Sequence, residues 1–81
     1  MIIPAELQHE EVLAEDVKEG DMVWLGDYKF THNQHTIISP ATVSGISNSH
    51  NGDVLIELRD VANKHCLLTC HPSDPIVLII Q

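Results

Sequence analysis

Apolar and polar positions alternate along most of this chain, and the alternation predicts strands. Val54, Ile56 and Leu58 alternate with Leu55, Glu57 and Arg59, the period of a half-buried strand. Met22–Leu25 alternates in the same way and places Val23 and Leu25 inward. His65–Cys70 reads as a further strand, and Ile76–Ile80 is a continuous apolar one. Residues 37–47 have β character around Pro40, which marks an edge, a bend or a bulge. Leu7–Ala14 reads either as a short helix or as a first strand. No eleven-residue window carries a helical apolar stripe.

Turn residues punctuate these runs. Asp16-Val-Lys-Glu-Gly20 reads as a tight turn in which Gly20 supplies a positive φ at no steric cost. Gly26-Asp27 breaks the second strand and Tyr28–Phe30 resumes it, while Thr31–Thr36 reads as an exposed loop. Asn51-Gly52 marks a hairpin, since both residues tolerate positive φ. Asp60–Lys64 and His71–Pro75 are further turns. Five or six short strands at this spacing in 81 residues predict one all-β domain, a small barrel or sandwich.

Ala14-x-Asp-Val-Lys-x-Gly-Asp-x-Val23, the Asn51-Gly52 hairpin and the closing Pro72-x-Asp-Pro-Ile-Val77 run form a pattern that resembles small SH3-like barrels. These include KOW-type domains and the N-terminal domain of elongation factor P. The layout is also similar to short accessory proteins of bacteriophages and other mobile elements. The resemblance implies a five- to six-stranded SH3-like barrel over residues 1–81. For function it implies a short accessory protein encoded by a phage or mobile element, and its motifs are structural ones. The ribosomal and translation members carry basic loops that this chain lacks. A fainter likeness to self-splicing intein and hedgehog-type domains fails on motif order, because Thr69-Cys-His71 follows the turn it should precede and the N-terminal nucleophile is missing.

Charge sharpens the functional reading. Residues 1–27 hold eight acids and one base, whereas residues 28–81 hold four acids and three bases, within a total of −8. Such a chain repels phosphate, so direct nucleic-acid binding is not expected. No apolar run reaches the roughly 18 residues of a membrane span, and the N-terminus lacks a basic, long-apolar leader, so the expected location is cytoplasmic. The acids also serve solubility.

The three aromatics, Trp24, Tyr28 and Phe30, fall within seven residues. If Val23 and Leu25 face inward, Trp24 faces outward beside acids. That suits a protein-recognition patch made of Trp24, Tyr28, Glu15, Asp16, Glu19, Asp21 and Asp27, able to dock a basic or proline-rich segment. The alternative is that the aromatics close one end of the core. Ile76–Ile80 is apolar on both faces, so Ile76, Leu78 and Ile80 are candidates for a homo-oligomer interface, and an open edge there would invite strand addition.

Catalytic chemistry is not expected. The chain has no glycine-rich phosphate loop, nucleophile elbow or triad spacing. Cys66 and Cys70, four apart on a strand, lie about 13 Å apart, too far for one zinc ion or a disulfide. They are expected as buried free thiols, with no metal and no cofactor. His32, His35 and His50 could converge with His65 or His71 into a metal- or pH-sensitive site, although scattered surface histidines are the simpler reading. Three rival functions stand beside partner binding: an assembly unit built on the last strand, an acidic inhibitor that mimics nucleic acid, and a histidine-based sensor.

Overall fold

A computed structural model describes residues 6–25 and 40–80, and the backbone alone at 29–30 and 35–36. Eight strands appear in chain order: β1 (His9–Leu13), β2 (Met22–Trp24), β3 (Lys29–Phe30), β4 (His35–Thr36), β5 (Ala41–Asn48), β6 (Val54–Arg59), β7 (His65–Cys70) and β8 (Pro75–Ile79). One 3-10 turn, Ala14–Asp16, follows β1, and there is no α-helix among the described residues. The all-β class is as expected. Residues 7–14 resolve into strand and 3-10 turn, and residues 35–36, expected in a loop, pair with 29–30.

Six strands form one antiparallel sheet in the order β1-β8-β2-β5-β6-β7. The barrel expected from the SH3-like resemblance is not closed. β1 and β7 are its two edges, and no ladder joins them. The sheet nevertheless curls, because β7 at one edge connects through residues 71–74 to β8, which lies beside the other edge. Side chains of β7 therefore share one core with those of β2 and β8: Leu68 and Cys70 join Val23 and Ile76 in a single buried cluster.

Register explains that core. Val54, Ile56 and Leu58 stand opposite Cys70, Leu68 and Cys66, so inward positions of the two strands meet as cross-strand pairs. All six are buried, and Leu58 and Ile56 are among the largest side chains fully enclosed. In β5 the inward sequence runs Ala41, Val43 and then Ile46, a change of parity. A bulge between Val43 and Gly45 absorbs it and keeps Ile46 packed on the core. Pro40 precedes this strand and does not form the bulge.

The last strand departs from expectation. β8 pairs with β1 along Pro75–Ile79 and with β2 along Val77–Ile79, so both of its edges are occupied. Ile76 is buried, Leu78 packs on the core, and only Ile80 projects into solvent. Strand addition at the Ile76–Ile80 edge is thereby blocked, for the physical reason that the β1 and β2 backbones already satisfy its hydrogen bonds. Edges open to a partner lie instead at β1 and β7.

Candidate functional site

The acidic turn is held at both ends. Gly20 has φ +94°, and its N–H donates to the Val43 carbonyl at 2.9 Å, while Val43 N–H returns to the Asp21 carbonyl at 2.8 Å. Asp21 Oδ2 accepts the Lys18 N–H at 2.8 Å, so this carboxylate closes its own turn. At the other end Ala14 N–H donates to the Asp74 carbonyl at 2.8 Å and Glu15 N–H to the Pro72 carbonyl at 3.1 Å. Ala14 and Val17 are buried, which anchors the segment to the core.

That anchoring divides the acids expected to form one rim. Glu15 and Asp16 are exposed beside the Pro72–Asp74 turn, at the end of β8 where Trp24 pairs with Val77. Glu19 and Asp21 lie at the opposite end of β2, with Asp21 about 10 Å from Trp24 at strand rise. Asp27 and Tyr28 lie outside the described residues, as do His32 and the side chains of Phe30 and His35. Trp24 occupies the face opposite Val23, as alternation required. It does not project into solvent, however: it is half-buried, and its indole Nε1 is enclosed with no hydrogen-bond partner among the described residues. It stands opposite Val77 in the β2–β8 register and shares a hollow with residues of β7.

The seam holds a cavity of about 330 Å³. Trp24 and Leu25 at the end of β2, Leu68 and Cys70 of β7, and Asp74 and Ile76 line it. Its floor is apolar, and Asp74 is its one charged lining residue among the described residues. Asp74 also shapes the turn. Its Oδ2 accepts the His71 N–H at 2.9 Å and its own N–H donates to the His71 carbonyl, while the other carboxylate oxygen accepts no hydrogen bond among the described residues. His71 Nδ1 lies 2.8 Å from the Ser73 hydroxyl, and the Ser73 N–H approaches the same nitrogen at 3.3 Å.

Negative charge converges on this end of the molecule. Burial pushes the Cys70 thiol up, and the charges of Asp74 and Asp53 add to the shift. Burial raises Cys66 to about 11, with Asp60 contributing. Both thiols are free and buried, as their shared face with Leu68 predicted. A neutral, enclosed thiol is a poor nucleophile and a poor metal ligand. No group of three or more His, Cys, Asp or Glu able to hold a metal occurs among the described residues.

A second hollow of about 350 Å³ lies at the other end of the sheet, between Glu10, Gly20–Met22 and Leu78–Ile80. It has no aromatic in its wall among the described residues. Sequence reasoning singled out Trp24, which lines the cavity, and Glu15 and Asp16, which do not, and passed over Asp74, which read as an ordinary turn residue. The signal available was the Asp-Pro pair directly before an apolar strand, a turn that had to meet the core.

These features define an all-β protein built on an open, curled six-stranded sheet with an acid-flanked seam. Comparison with protein-family models, with curated proteins and with solved structures finds no match.

Proposed function

We propose that this chain is a non-enzymatic protein-recognition module that receives a basic, partly apolar segment of a partner at the Trp24–Asp74 cavity. One observation carries the reading: an apolar cavity walled by the only tryptophan and charged, among the described residues, by Asp74. An aliphatic stem fits against Leu68 and Ile76, and a cation held over the indole gains from its π face. Exposed Glu15 and Asp16, docked on the same turn, extend the negative field around that mouth and steer a cationic partner toward it. The resemblance to accessory proteins of phages and mobile elements agrees with such a role.

The test uses an alternating lysine–valine hexapeptide, read by Trp24 fluorescence. Asp74→Asn keeps an oxygen for the His71 N–H and removes the charge, and it is combined with Glu15→Gln and Asp16→Asn. Three exposed charge pairs at ~0.2–1 kcal/mol each predict a loss of affinity near tenfold, shrinking with added salt. Equal binding by the triple variant, or by a glutamate–valine hexapeptide, overturns the reading. Affinity capture from a lysate of the native organism then identifies the partner.

The division of the acids between two ends of β2 favours a second reading, an inhibitor whose carboxylates stand in for phosphates in an enzyme's basic groove. That reading predicts competition with DNA or RNA for the captured partner, and it fails if nucleic acid leaves the complex intact.

A further inference from the structure

The seam that holds the cavity is also the place where the sheet stops, and the phase of the β6–β7 ladder fixes what β7 offers there. Asp60 N–H donates to the Lys64 carbonyl at 3.1 Å across the hairpin end. Hydrogen-bonded and non-bonded pairs alternate in an antiparallel ladder. The pairs Leu58–Cys66, Ile56–Leu68 and Val54–Cys70 are therefore the bonded ones, in the register observed. The N–H and C=O groups of His65, Leu67 and Thr69 point away from β6, along the open edge, with no partner among the described residues. This is a six-residue row without a carboxylate on its own strand. β1, the other edge, carries Glu10 and Glu11, and charged edge residues oppose strand addition.

The edge also has an electrical direction. Lys64 lies at its start with Arg59 across the ladder, two cations against the one buried carboxylate of Asp60, while Asp53 and Asp74 lie at its end beside Cys70 with no cation among the described residues there. Thr69 and Cys70 at that end line the Trp24 cavity. A strand laid on β7 thus places one of its terminal side chains at the cavity mouth.

We infer that the partner segment binds as an added β-strand along His65–Thr69, with a basic side chain at the Asp74 end of that strand. The inference rests on the protein-recognition reading and specifies how the segment is held. Main-chain hydrogen bonds to Leu67 and Thr69 supply affinity, and the Asp53–Asp74 end selects the cation.

Amide hydrogen exchange on the full chain, with and without the lysine–valine hexapeptide, tests it. Leu67 and Thr69 N–H should exchange about tenfold more slowly when the peptide is bound. A hexapeptide N-methylated at alternate residues, on its edge-facing amides, should lose roughly tenfold in affinity, since two strand hydrogen bonds disappear. Leu67→Pro should lose binding while keeping the fold, because the N–H it deletes does not face β6. Undiminished binding by both N-methylated registers overturns strand addition, and if Asp74→Asn still weakens that binding, the cavity reading survives alone. Protection of Leu67 and Thr69 without peptide, in a concentration-dependent dimer, also overturns it, by placing a second copy on this edge. Absence of binding by any of these peptides removes both readings.

Discussion

Asp60 Oδ1 accepts the backbone N–H of Lys64 at 2.9 Å from a side chain that is 5% exposed. The same oxygen takes the Ala62 N–H at 2.9 Å, and this pinning allows Asn63 to sit at φ +62°. A single carboxylate thus orders the whole β6–β7 turn.

Asp60→Ala should therefore destabilise the fold by about 1–3 kcal/mol, through backbone donors left without their acceptor. For a domain of this size that is a fall in Tm of several degrees, at ~4–8 °C per kcal/mol. Asp60→Asn keeps an oxygen and should cost less. Urea unfolding of both variants checks the order, and equal losses would show that charge matters more than acceptance.

Stability should decline in alkali through the two thiols. Cys66 titrates at about 11 in the folded chain against 9.0 ordinarily, and Cys70 is also raised. Below pH 9 both are protonated, folded or unfolded, so they contribute no slope. Between pH 9 and 11 the unfolded chain releases its thiol protons first, binds fewer protons than the native state, and gains in relative stability. Unfolding at pH 8 and pH 10.5 should show this decline, reduced in a Cys66→Ala, Cys70→Ala variant. A disulfide reagent should label neither thiol readily until urea is added.

Trp24→Phe should be tolerated better than its lost size suggests. The substitution removes an indole N–H that is enclosed without a partner, a group whose burial costs ~1–3 kcal/mol. The net change should stay within about 1 kcal/mol, whereas Trp24→Ala should approach the ~3 kcal/mol of an aromatic truncation. Thermal melts of the two variants decide it. If both lose the same, the N–H has a partner in solution.

Local features were legible where a single residue type sets them. Gly20 and Gly52 adopt φ +94°, as their turns required, although Asn51, expected to share that conformation, does not. The alternation of Val54, Ile56 and Leu58 and the buried stripe of Cys66, Leu68 and Cys70 read directly off the period of two. Strand order did not, because alternation marks a strand without naming its neighbours. The apolar C-terminal strand therefore left open whether its edge was paired, and it is an interior strand. The acidic rim misled for a related reason. Proximity along the chain is undone by a strand that carries Asp21 away from Trp24, while the fold brings Asp74 in from fifty residues downstream of the tryptophan. Asp60 was hidden too, since a turn aspartate has no sequence mark that it is buried.

The placement of β8 between β1 and β2 has a consequence for how the chain comes to order. Leu13 pairs with Pro75 and His9 with Ile79, so the first strand waits for residues 62 to 70 positions further on. Within the six-stranded sheet, the β5–β6–β7 meander is what can assemble from neighbours, and closing long loops is what slows such topologies. β1 therefore stays unpaired until β8 has been made, and β8 then joins it to β2 in one sheet.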